Sequence, residues 1–105
     1  MIQLTQENFE DQVLGADLPV MVEFGAVWCV PCKRLEPELH KLAEEWEGKM
    51  ILGHINVDEN PDLAMNYTVM SVPTVMLFKN GEVQDRMTGF KPLQKIKEIF
   101  GEYIG

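Results

Sequence analysis

Pro19-Val20-Met21-Val22-Glu23-Phe24 is almost continuously apolar, the pattern of a central strand covered on both faces, and Glu23 is the one residue out of place. Met50-Ile51-Leu52-Gly53-His54-Ile55-Asn56-Val57 predicts a second buried strand. Thr74 to Phe78 and Val83 to Thr88 flank Lys79-Asn80-Gly81-Glu82, and Asn-Gly between two strand-like runs predicts a hairpin, so this last pair is expected to be antiparallel. Ile2-Gln3-Leu4 is a candidate edge strand.

Between these runs the apolar period changes to that of helices. Thr5 is placed to cap a helix over residues 6–14, with Glu7 in its first turn, Phe9 and Val13 on one face and Gly15 as its stop. Leu35, Leu39, Leu42, Ala43 and Trp46 recur at helical spacing opposite Arg34, Glu38, Lys41 and Glu45, until Gly48 closes the segment. Pro37 lies inside this helix and removes a backbone donor, so a kink is expected there. Asn60-Pro61-Asp62 offers a cap, a first-turn proline and a first-turn acid for a short helix to about Asn66. A closing helix from near Pro92 buries Leu93, Ile96, Phe100 and Tyr103 or Ile104. The order α, β, α, β, α, β, β, α predicts an α/β fold, a central mixed sheet with helices on both faces.

Residues 1–105 are expected to form one domain, long enough to bury a core without cross-links, and the composition of 46% hydrophobic and 25% charged residues is that of a globular chain. The net charge of −8 would repel a phosphate backbone, so nucleic acid is not an expected partner. Acids such as Glu44, Glu45, Glu47, Asp58, Glu59 and Asp62 are dispersed and read as a solvated surface. Met1 to Gln6 has neither a basic flank nor a long apolar run, which predicts no signal peptide and no membrane span. A monomer in the cytoplasm is expected. The seven methionines read as core filling.

The chemistry is concentrated in Trp28-Cys29-Val30-Pro31-Cys32-Lys33, which holds both cysteines of the chain between an apolar strand and an amphipathic helix. Two cysteines at this spacing serve reversible redox chemistry or metal ligation. Cys29 falls where a helix begins, and unpaired backbone N–H groups there favour a thiolate. Pro31 is tolerated in a first helical turn and limits its freedom. For zinc, the pair would be half of a tetrahedral site, and His40 and His54 are too far apart in the chain to supply an obvious other half.

Val22-Glu23-Phe24, the Cys29–Cys32 motif, Pro37, Asn56-Val57-Asp58, Val72-Pro73-Thr74, Asn80-Gly81 and Gly89 occur in the order and spacing of the thioredoxin family, which the chain resembles from end to end. The resemblance implies a thioredoxin fold and a thiol–disulfide oxidoreductase that reduces disulfides of client proteins. It implies Cys29 as nucleophile, Cys32 as resolving cysteine, a Cys29–Cys32 redox disulfide, Glu23 in proton transfer and Pro73 as a substrate-positioning cis-proline. Trp28, Val30, Pro31, Val72, Gly89 and Phe90 would form the substrate surface. No bound cofactor or metal is implied, and no nucleotide- or phosphate-binding motif is present, so a separate thioredoxin reductase is expected to supply electrons. The alternative within the same fold is a module that binds and stabilises a partner, with redox chemistry secondary.

Four positions depart from the family pattern. Glutamate replaces aspartate at Glu23, Val30 stands where glycine is usual, Gly25 replaces an aromatic residue, and His54 replaces a lysine. On ordinary values His54 would pair with Glu23 only below a pKa of about 6.5.

Overall fold

A strand with no polar face has to be covered on both sides, and β2 (Val20–Gly25) is buried at all six positions. The structure is a computed structural model that describes residues 1–104. Its other strands are β1 (Ile2–Leu4), β3 (Ile51–Asn56), β4 (Thr74–Lys79) and β5 (Glu82–Thr88). Their order is β1-β3-β2-β4-β5, with β1 and β2 parallel to β3, β4 antiparallel to β2, and β5 antiparallel to β4. Asn80 and Gly81 both have positive φ (55° and 80°), as the hairpin between β4 and β5 requires.

Alternation along β2 divides the core. Met21 joins Leu52, Val75 and Leu77 beneath α1 (Val30–Glu45) and α3 (Leu93–Phe100), which contribute Leu35, Leu39, Leu42, Ile96 and Phe100. Val20, Val22 and Phe24 pack on the opposite face with Phe9, Val13 and Leu63, the last from α2 (Pro61–Asn66). Leu93, Tyr103 and Ile104 are partly buried against the first cluster. The predicted mixed sheet with helices on both faces is therefore what forms.

Two local expectations change. The helix expected over residues 6–14 is a turn followed by one π-helical segment, Glu10–Leu14, closed by the Gly15 N–H bonding Glu10 O at 2.9 Å. Thr5 still organises its start: its hydroxyl accepts the Asn8 N–H at 3.3 Å while its own N–H donates to the Asn8 amide oxygen at 2.8 Å. Asn60 does not cap α2 with its side chain. Its Oδ1 accepts the Gln6 N–H and its Nδ2 donates to Asn56 O, both at 3.0 Å, which ties the N-terminal turn to the end of β3. As expected, Pro37 lies inside α1, which runs from Val30 to Glu45.

Gly53 is where β1 and β3 approach too closely for a side chain. A Cβ there would stand 2.5 Å from Leu4 Cδ1 and 3.0 Å from Leu4 Cγ, and Leu4 is itself buried in the core. Gly53→Ala is expected to cost about 1–3 kcal/mol by overpacking, measured by urea unfolding; an unchanged midpoint would mean that Leu4 moves aside without loss.

Candidate active site

The end of β2 and the start of α1 meet at the cysteine pair. Cys29 is the N-cap of α1, with extended backbone (φ −86°, ψ 107°), and its Sγ accepts the Cys32 N–H at 3.1 Å. This is an unpaired amide of the first helical turn, the kind that stabilises negative charge on sulfur. The two sulfurs are joined in a disulfide, with Cα atoms 5.3 Å apart. Cys32 is fully buried and Cys29 is 3% exposed, so Cys29 is the more accessible by a narrow margin. Pro31 occupies the first turn of α1, where no donor is lost.

The surrounding surface is apolar and pinned. Trp28 is 68% exposed, and its Nε1–H donates to Asp58 Oδ2 at 2.9 Å, which fixes the ring beside the disulfide. Asp58 acts here as a specific acceptor as well as a solvated acid. Its role is legible only once the chain brings positions 28 and 58 together. Val30 is exposed next to Cys29, and Val72 packs against the Ala26–Cys29–Cys32 cluster. The Val72–Pro73 peptide is cis. Pro73 O accepts the Gly89 N–H at 2.8 Å, and Gly89 has φ +83°, a conformation that favours glycine. Phe90 lies further into the molecule, half-buried against the α1–α3 core with the Arg34 guanidinium 4.5 Å from its ring centre.

Beside the disulfide runs an apolar groove of about 620 Å³ whose walls include Trp28, Val57, Met65, Val69, Met70 and Val72. Met70 is 88% exposed and Met65 is also exposed. Core filling therefore holds for Met21, Met50, Met76 and Met87 and fails for the exposed Met1 and for these two. Sequence patterning missed them because Met65 sits in a short helix and Met70 outside any element, where no long period separates inside from outside.

Behind the disulfide lies Glu23. Alternation puts it on the same face as Met21 and Gly25, towards α1, and pairs it with His54 on β3 and Val75 on β4. It is fully buried, and neither carboxyl oxygen has a hydrogen-bond partner among the described residues. Burial pushes its pKa up from 4.5 to about 8, reinforced by the charge of Glu36 and opposed by Lys33. A solvent-facing Glu23 is thereby excluded.

His54 Nε2 stands 3.9 Å from Glu23 Oε1 and 3.8 Å from Glu36 Oε2. Burial lowers its pKa from the ordinary 6.5, although Glu36 pulls the other way. Pairing of a charged His54 with an ionised Glu23 is thus displaced from the range expected on ordinary values, since burial keeps both neutral near pH 7. Glu23, Glu36 and His54 each bring one potential ligand atom within 4.8 Å of the others, a spacing that could surround a cation. Lys33 lines the same small cavity as Glu36 and His54 and already supplies positive charge there, so the cluster is better suited to exchanging protons than to holding an ion.

Known proteins resemble the chain along nearly its whole length. A model of the thioredoxin family matches residues 1–102. The chain is 42% identical to a thioredoxin of Chlorobaculum thiosulfatiphilum over 103 residues, covering 98% of this chain and 95% of that protein. It is 45% identical to a thioredoxin of Rickettsia bellii over 101 residues, 96% of each chain. To the chloroplastic thioredoxin M5 of Oryza sativa subsp. japonica it is 39% identical over 94% of this chain and 58% of that protein.

Burial of Glu23 predicts a particular pH dependence of stability. Because its folded pKa is raised, the native state keeps a proton between about pH 4.5 and pH 8 that the unfolded chain has released, and stability falls as pH rises through that window. Glu23→Gln removes the titrating group. The variant is expected to unfold like the parent below pH 4.5 and to be more stable at pH 9 by on the order of a few kcal/mol, read from denaturant unfolding of the oxidised protein. Parallel pH profiles for the two proteins would contradict the burial argument.

Proposed function

Because the chain belongs to the thioredoxin family and is a thiol–disulfide oxidoreductase with protein-disulfide reductase activity, we propose that Cys29 attacks client disulfides and Cys32 resolves the product. The observation that carries these roles is the position of Cys29 at the N-cap of α1, with its sulfur on the Cys32 amide, while Cys32 lies wholly buried behind it. The Cys29 thiolate attacks one client sulfur, and the other leaves as a thiolate. Cys32 then loses its proton to Glu23 in its ionised form and attacks Cys29 Sγ. The Cys29–Cys32 bond forms, the bond from Cys29 to the client breaks, and the client leaves with both sulfurs reduced. The client has gained the two electrons that the cysteine pair has lost.

Val72 packs against the disulfide, with Pro73 next to it, on the side where an extended client segment would lie, and Trp28, Val30, Pro31 and Gly89 complete the proposed substrate surface, with Phe90 set deeper behind Gly89. Apolar, shallow walls suit clients that differ in sequence, because main-chain contacts and apolar burial tolerate many side chains. Each turnover removes two electrons from the pair, so a separate reductase has to restore them. A cytoplasmic setting fits this direction, since dithiols are kept reduced there. On this reading the chain works as one domain and as a monomer in redox homeostasis. Among the described residues no helix is long and apolar enough to cross a membrane.

The division of labour between the cysteines is tested by replacing each in turn. Cys32→Ser is expected to accumulate a stable mixed disulfide between Cys29 and a protein client, visible by mass spectrometry, and to lose turnover. Cys29→Ser is expected to form none. Adducts that persist equally in both variants would mean that the two cysteines are interchangeable nucleophiles.

A further inference from the structure

A fully buried carboxyl that takes up the Cys32 proton has to hand it on, because Glu23 has no contact with solvent of its own. Glu36 is placed for this. It follows Cys32 by four residues on α1, so the thiol and the carboxyl lie on one face of the helix, above Glu23. Its side chain is 27% exposed, and with His54 and Lys33 it lines a cavity of about 190 Å³. The potential ligand atoms of Glu23, Glu36 and His54 lie within 4.8 Å of one another.

Gly25 leaves the passage between sulfur and carboxyl open. A Cβ at this position would stand 3.3 Å from Cys32 Sγ, 3.4 Å from Glu23 Oε2 and 3.2 Å from His54 Nε2. The missing side chain therefore brings the thiol, the carboxyl and the imidazole around one small space.

Resting on the assignment of Glu23 as acceptor of the Cys32 proton, we propose that Glu36 is the relay residue that receives this proton from Glu23 and releases it to solvent. Glu36 acts through Glu23 and is thus a positioning residue. In the molecules in which Glu23 has lost its proton, a minority near pH 7 that grows towards pH 8, the Cys32 proton moves to Glu23 as Cys32 attacks Cys29 in the mixed disulfide. The electron pair of the breaking bond leaves on the client sulfur. Glu23 then passes the proton to ionised Glu36, which releases it to water, and water protonates the client thiolate. The base is restored and the protons balance.

The groups facing Glu23 suit such an exchange. From α1 come Cys32, Lys33 and Glu36, from β3 comes His54, and β4 presents the apolar Val75. The charge of Glu36 disfavours ionisation of Glu23, and Lys33 favours it. The Gln3 amide meets His54 Nδ1 at 3.1 Å, leaving Nε2 turned to both carboxyls, while the chain's N-terminal charge and Lys33 disfavour a second proton on the ring. His54 thus borders the exchange as a neutral group.

The test follows the rate at which Cys32 resolves a preformed mixed disulfide between Cys29 and a protein client, between about pH 5 and pH 9, in the parent, Glu36→Gln, Glu36→Asp and Glu23→Gln. Glu36→Gln is expected to slow resolution at pH 7 by about tenfold, less than the roughly hundredfold of a group that touches the reacting atom. Glu36→Asp is expected to restore most of the rate. A purely electrostatic Glu36 acts in the opposite sense, since removing its charge eases ionisation of Glu23 and speeds the step. A Glu36→Gln rate equal to or above that of the parent at pH 7, with Glu23→Gln slow, would overturn the relay and leave the Glu23 assignment standing. If Glu23→Gln also resolves at the parent rate, both fall.

Discussion

A carboxyl group in the middle of an apolar sheet is the constraint around which this site is arranged. Placing an ionised carboxylate in such surroundings without a partner costs several kcal/mol, far more than a single packing contact returns. Glu23 is therefore held with its proton near neutrality, beneath α1 and beside Glu36 and His54. That cost is borne by the rest of the fold. Leu35, Leu39 and Leu42 seat α1 on Met21, Leu52 and Leu77, and the depth of this packing brings Cys32 down over Glu23. A poised proton acceptor and a shielded sulfur thus share one cause.

The accessible half of the site depends on a different set of contacts. Cys29 is held by the geometry of a helix start, which turns an unpaired amide towards sulfur. Trp28 is fastened to Asp58 at the end of β3, and Pro73 is fastened through its carbonyl to Gly89 at the end of β5. Segments from four parts of the chain therefore converge at the C-terminal end of β2, where the strand order places β3 on one side and β4 on the other. The disulfide lies between this rigid apolar rim and the buried acid.

The main architecture is legible along the chain because it rests on period and punctuation. Continuous apolar runs mark β2 and β3, Asn80-Gly81 marks the hairpin, and the spacing of Leu35, Leu39 and Leu42 marks α1. The oddity of Glu23 within an apolar run is also visible in one dimension, and it points to the buried acid that the fold contains. What is not legible is whatever depends on two distant segments meeting. Asn60 has the residue type of a helix cap, but its side chain bonds Gln6 and Asn56, partners that the local sequence cannot reveal. Asp58 looks like one surface acid among many until Trp28 reaches it. Glu36 sits on a helix rich in charge, and only its position across from Glu23 and His54 separates it from Glu38 or Glu44. The first helical segment failed for a related reason: closure by Gly15 onto Glu10 widens the turn, and the short apolar period there does not distinguish the two forms.

The central claim is that Glu23 is a neutral buried acid near pH 7, poised to exchange a proton with Cys32. The most direct measurement is a carbon-13 NMR titration of the Glu23 side-chain carboxyl in the oxidised protein. The account predicts a midpoint near pH 8. A midpoint near 4.5, the value of an ordinary glutamate, would contradict it.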